Sequence, residues 1–160
     1  MIRGISSSSY ILLLTILFLL PSCNGKIAFT DSSQIKSNIW NVNDIVKFPA
    51  RITDTINSNN VTFIIRTGSS YPFRNIYLFV TTTSPNGNSI TDTLHYNLAD
   101  EKGKWYGKGF GDINELNLPY KSNVFFPVKG TYTFAIQHGM RIMDLKGVFD
   151  FGIRIEKITK

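Results

Sequence analysis

Cys23 is the residue with the most distinct chemistry in this 160-residue chain, and it is the chain's single cysteine. A thiol directly after a short apolar run can be alkylated by a diacylglycerol. That needs a basic start, an apolar stretch and small residues before the sulfur. Arg3 supplies the charge, Tyr10 to Leu20 supply the apolar run, and Leu20-Pro21-Ser22-Cys23 supply the processing site. The run falls within the roughly 7–15 residues of a signal-peptide core and short of the about 20 needed to span a bilayer. Residues 1–22 are expected to be a lipoprotein signal peptide, with Cys23 as the first, lipidated residue. The expected cofactor list is empty apart from that covalent lipid.

Other reactive types are sparse. Two histidines, His95 and His138, fall on or just after expected strands. Neither sits at a loop tip beside a nucleophile, as acyl transfer would need. No paired His, Cys pair or Asp-x-Asp run offers metal-ligand spacing. Gly107-Lys108-Gly109-Phe110-Gly111 lacks the Gly-Lys-Ser/Thr ending and the strand-to-helix setting of a phosphate loop. No catalytic residue and no metal site are expected. Trp105, Tyr106 and Phe110 form a loop aromatic cluster. Such rings plug the end of a sandwich, dock a protein, or stack on a sugar. Arg141 and Asp150 flank the turn at Asp144–Gly147. They are expected to form a structural ion pair, with a partner-binding Arg141 as the alternative.

These groups must be positioned by strands. Trp40, Val42, Val46 and Phe48 alternate with polar residues up to Pro49, which is expected to stop the strand. Residues 61–66 form a second strand. Residues 74–83 form a third, apolar on both faces and therefore central. Pro85-Asn86-Gly87 marks a hairpin into residues 90–97. A short helical turn is expected near Asp112–Leu116, then strands at 123–128, 131–137 and 149–156. The expectation is an all-β fold, an antiparallel two-sheet β-sandwich of seven or eight strands over residues 39–160. Residues 23–38, polar and rich in Ser, Asn and Lys, are expected to be a lipidated tether. Twelve Phe, seven Tyr and two Trp give the core its aromatic mass. With no second cysteine, no internal disulfide supports it. The net charge of +6 is scattered. It suits anionic headgroups near a tethered protein and lacks the basic, aromatic-interleaved stripe of a nucleic-acid binder.

The residues also carry a resemblance. Tyr71-Pro72-Phe73-Arg74-Asn75-Ile76, Asp92-Thr93-Leu94, Leu98-Ala99-Asp100, Gly103-Lys104-Trp105 and Gly107-Lys108-Gly109 come in order. They are followed by Phe126-Pro127, Gly130-Thr131-Tyr132, Gln137-His138-Gly139-Met140-Arg141 and Leu145-Lys146-Gly147-Val148-Phe149-Asp150-Phe151-Gly152. Together with the signal in front, this resembles the gliding-motility lipoprotein GldH family of the Bacteroidetes over about residues 38–157. The resemblance implies a non-catalytic envelope lipoprotein, an accessory of the gliding and associated secretion machinery acting by protein contact. A glycan- or carbohydrate-binding lipoprotein is the alternative. In that phylum Asp54-Thr55-Ile56 and Asp92-Thr93-Leu94 resemble a short O-glycosylation signal, making Thr55 and Thr93 candidate acceptors. Asn24 after the cysteine is not the aspartate of inner-membrane retention, and no acidic run follows. The expected location is the outer membrane, on its periplasmic rather than its outer face. The expected partners are that membrane, through the lipid, and other envelope proteins.

Overall fold

The computed structural model describes residues 26–158. The expected signal peptide and Cys23 lie outside the described residues. Eleven strands follow one another: β1 (Ile27–Gln34), β2 (Ile39–Asn41), β3 (Val46–Ile52), β4 (Asn59–Thr67), β5 (Asn75–Thr83), β6 (Ser89–Asn97), β7 (Lys108–Phe110), β8 (Ile113–Val124), β9 (Gly130–His138), β10 (Asp144–Lys146) and β11 (Val148–Lys157). They form an antiparallel β-sandwich. One sheet has the order β1-β11-β4-β8-β7 and the other β3-β9-β5-β6, with β10 and β2 as a small pair at one end.

The alternation seen in the sequence sets the core. Val46, Phe48, Ala50 and Ile52 of β3, Ile76, Leu78 and Val80 of β5, and Tyr132, Phe134 and Ile136 of β9 point inward from one sheet. Val61, Phe63 and Ile65 of β4, and Phe151, Ile153 and Ile155 of β11, meet them from the other. The Phe151 ring lies 5.3 Å from Trp40 and 5.5 Å from Phe63, at separations typical of favourable aromatic pairs. The Asn86-Gly87 turn closes the β5–β6 hairpin, with the Ser84 N–H donating to the Asn88 carbonyl at 2.8 Å.

Several expectations need correction. The strand expected at residues 123–128 is only the end of β8, which stops at Val124, and residues 125–129 are loop. Residues 27–34, expected within the tether, form β1 and pair with β11 from Ile27↔Glu156 to Gln34↔Asp150. An outermost strand makes only one ladder and packs little, so its sequence carries little apolar pattern. Pro49 does not end its strand. β3 continues to Ile52, because it is an edge strand and tolerates a missing N–H. The expected helical turn near Asp112–Leu116 is the start of β8, paired with β4. Finally, β5 is central within its sheet, yet its outer face is open: Tyr77 and Phe79 are each 41 % exposed.

His138, at the end of β9, is fully buried with both ring nitrogens lacking a hydrogen-bond partner. Trp40 meets it edge-on at 5.5 Å. Burial holds its pKa below the ordinary imidazole value. In the unfolded chain it titrates near 6.5, so below that pH the unfolded state binds a proton that the folded state refuses. Stability should therefore fall as pH drops from about 6.5, by up to about 1.4 kcal/mol per pH unit. Urea melts at pH 7.5, 6.5 and 5.5 should show this fall, and His138→Phe should flatten it. Equal slopes for the two proteins would contradict the assignment.

Candidate functional site

The outer face of β5 and the segment after β9 together build an open cleft of about 510 Å³, lined by Phe73, Tyr77, Gly139, Met140, Arg141 and Ile142. Its walls follow from local structure. The Gly139 N–H donates to the Tyr77 carbonyl at 2.7 Å, extending the β9–β5 ladder by one residue. A Cβ at Gly139 would stand 3.0 Å from the Phe79 ring and 3.3 Å from the Tyr77 Cβ. Glycine there lets two aromatic side chains lie over the chain. Met140 is half-buried and turns its Sδ to the Tyr77 N–H at 3.4 Å. On its β6 side the Tyr77 ring is stacked on His95 at 4.4 Å and 17°. The Nε2 of His95 meets the Asn75 side-chain amide at 3.1 Å.

Aromatic contacts continue behind Phe73. Tyr71 is buried and edge-on to Phe73 at 6.2 Å and to Trp105 at 5.9 Å. Its hydroxyl donates to the Asn75 carbonyl at 2.9 Å, and burial raises its pKa well above the ordinary phenol value. Trp105 is half-buried, packed on the core and bridged to Ala99, whereas Tyr106 is 64 % exposed. Phe110 ends β7 on the opposite sheet. Trp105 thus packs behind Phe73 through Tyr71, and Tyr106 is exposed and not part of the cleft lining.

Asp150 pairs with Arg66, correcting the expected Arg141–Asp150 pair. The two stand directly opposite on β11 and β4. Arg66 Nε donates to both carboxylate oxygens at 2.9 and 2.7 Å, and the guanidinium also bridges to Asp150. Its hydrogen bond to that carboxylate raises the Arg66 pKa further. Arg141 is exposed at the cleft mouth, and no ion pair among the described residues uses it. Two expectations on stability follow. Arg141→Ala should leave the melting curve within about 0.5 kcal/mol of the parent. Arg66→Ala strips a nearly buried carboxylate of its guanidinium and should cost about 1–3 kcal/mol at pH 7. Parallel chemical melts decide, and the reverse ranking would restore Arg141 as the structural residue.

The candidate acceptors sit on different surfaces. Thr55 is half-buried in the β3–β4 turn, where the Asp54 carboxylate accepts from the Ile56 and Asn57 N–H groups and pairs with Lys157 at 2.9 Å. Thr93 is exposed at the middle of β6. Among the described residues, no group of three or more His, Cys, Asp or Glu could hold a metal ion, and no helix is long and apolar enough to cross a membrane.

With the geometry in place, comparison with known proteins decides the family. The description "GldH lipoprotein" matches residues 27–155. The chain belongs to the GldH lipoprotein family. It is 34 % identical over 157 residues to the gliding motility lipoprotein GldH homolog of Christiangramia forsetii, covering 94 % of this chain and 95 % of that one. It is 34 % identical over 160 residues to the gliding motility lipoprotein GldH of Flavobacterium johnsoniae, covering 96 % and 98 %. A solved structure described as a carbohydrate-binding module of the β-sandwich superfamily shares 14 % identity over 83 % of this chain and 56 % of its own, with a TM-score of 0.29; a likeness that low carries no argument. The GldH match spans β1 through most of β11, so it includes the cleft as well as the sandwich that holds it.

Proposed function

We propose that this GldH-family protein is held by the lipid on Cys23 at the periplasmic face of the outer membrane. There it serves the gliding and associated secretion machinery without catalysis, by binding a protein partner in the β5/β9 cleft. One observation carries this reading: an open, largely apolar cleft, walled by Phe73, Tyr77, Met140 and Ile142, with an exposed guanidinium at its mouth. Aromatic side chains, Met and Arg are the types enriched in contact surfaces. An unpaired Arg offers planar, bidentate recognition of a carboxylate on whatever fills the apolar floor. His95 beside the cleft is engaged with an amide and an aromatic ring rather than with a nucleophile.

A glycan ligand is the second reading, since exposed rings beside an arginine also suit a sugar. It is weakened by Tyr77, whose ring is already stacked on His95 on one side. The test places a photo-crosslinking benzoylphenylalanine at Ile142, an exposed cleft residue, in the full chain in cells. A discrete protein adduct that disappears on Arg141→Glu is expected. An adduct unchanged by Arg141→Glu and by Tyr77→Ser would overturn the proposal.

A further inference from the structure

Sheet edges carry unpaired N–H and C=O groups, and proteins usually disable them with short strands, prolines, charges or bulges. Three of the four edges here are disabled. β3 carries Lys47, Pro49 and Arg51. β1 pairs with a register shift between Ile27 and Phe29. At the far side of that sheet β7 has three residues, and β8 beyond it carries Pro119 and two register shifts against β4.

The fourth edge, β6, is neither short, nor bulged, nor interrupted by proline, and its one charge, Asp92, faces inward and is already paired with Lys121. It pairs with β5 over nine residues, Asn75↔Asn97 to Thr83↔Ser89, without a shift. Its sequence, Ser89-Ile-Thr-Asp-Thr-Leu-His-Tyr-Asn97, contains no Pro and no Lys. The direction of its backbone groups follows from the hydrogen bonds at both ends. Leu98 N–H donates to Arg74 at 2.7 Å, and Ser84 N–H donates to Asn88. The Tyr77 carbonyl is turned to β9, where it accepts from Gly139. Even-numbered residues of β6 therefore bond to β5, because the two kinds of pair alternate along an antiparallel ladder. Ser89, Thr91, Thr93, His95 and Asn97 point their N–H and C=O groups outward. Past Asn97 the edge is covered, since Trp105 bridges Ala99 and the Tyr106 N–H donates to the Leu98 carbonyl.

A second feature lies at the same edge. On the inner face Asp92 accepts from Tyr120 at 2.7 Å and pairs with Lys121 at 2.9 Å, closing the sandwich at mid-strand. Towards the hairpin it stays open. Ile90 is 60 % exposed and Phe125 59 % exposed. They border an apolar cleft of about 190 Å³ shared with Tyr120 and Val124.

We propose that β6 receives an extended segment of a partner protein as a fifth strand, with a large aliphatic or aromatic residue of that segment seated between Ile90 and Phe125. Main-chain bonds supply affinity in such strand addition, and alternate side-chain pockets supply selectivity. The proposal rests on the contact reading above but uses a different surface from the Arg141 cleft.

The test uses the full chain in cells, with benzoylphenylalanine placed singly at Ser89, Thr91 and Thr93, all exposed. Strand pairing predicts adducts to one partner, mapped by mass spectrometry to sites stepping two residues at a time along one segment. Thr93→Pro should abolish the adducts from Ser89 and Thr91. It should leave the melting midpoint near that of the parent, because the Thr93 N–H points outward and bonds to nothing within the sandwich. If that variant does not fold, Thr91→Lys with Thr93→Lys should abolish the adduct from Ser89. Three results would overturn the proposal: adducts scattered over unrelated segments, adducts that survive both variants, or adducts only to a second copy of this chain. Adducts from Ile142 without any from β6 would remove strand addition and leave the contact reading standing. No adduct from either surface would remove both.

Discussion

Cys23→Ser is expected to move the protein from the membrane fraction to the soluble fraction and to abolish incorporation of labelled palmitate. The basis is Arg3, the apolar run from Tyr10 to Leu20, and the single cysteine placed right after Pro21-Ser22. Serine keeps the size of the side chain and removes the thiolate that takes the lipid. A single acyl chain gives only marginal membrane binding, so durable anchoring needs the multi-chain lipid of a processed cysteine. Among the described residues no helix can replace it as an anchor. Fractionation at high salt separates lipid anchoring from attraction of the +6 chain to anionic headgroups. A mutant that still pellets at high salt and still takes up palmitate would contradict the lipid anchor.

Gly147→Ala is expected to cost at least about 3 kcal/mol, among the larger effects of any single substitution. Gly147 sits between β10 and β11 with φ at +77°, where a side chain is strained. Space is the greater obstacle. A Cβ there would fall 2.3 Å from the Tyr71 N and 2.7 Å from the Ser70 carbonyl carbon. Those are backbone atoms and cannot swing aside. Gly147 also accepts from Gly68 N–H and donates to the Asn38 carbonyl, each at 2.9 Å. Relief of the clash must therefore shift Tyr71, which packs against Phe73 and Trp105. Chemical denaturation should show the loss, and Trp105 fluorescence should change in the native baseline. A midpoint unchanged from the parent would contradict the close approach.

The sequence conveyed the strands best where one face is buried and the other wet. β4 and β9 show this, as does the Asn86-Gly87 hairpin, whose turn chemistry is local. It conveyed least where a partner lies far along the chain. Arg141 stood nine positions from Asp150, while the true partner, Arg66, is 84 residues away and adjacent only through the β4–β11 register. β1 escaped notice because an edge strand needs little apolar pattern. The start of β8 lacks β-branched alternation and is held as strand by its pairing with β4, a case of context overriding propensity. The cleft itself had no local signature. Tyr77 and Met140 are 63 residues apart, and two aromatics on the outer side of β5 looked like a strand buried on both faces. Only the order β3-β9-β5-β6 shows that nothing else in the described chain covers them.

The central claim is that this GldH-family lipoprotein works by contact through the Arg141 cleft. It is tested most directly by measuring colony spreading in a gliding host that lacks its own family member and whose spreading is restored by the wild-type chain. Arg141→Glu reverses the charge at the cleft mouth without touching the core, so abundance, membrane association and melting midpoint should match the parent while spreading is lost. Full spreading by Arg141→Glu combined with Tyr77→Ser, at normal abundance, would contradict the account.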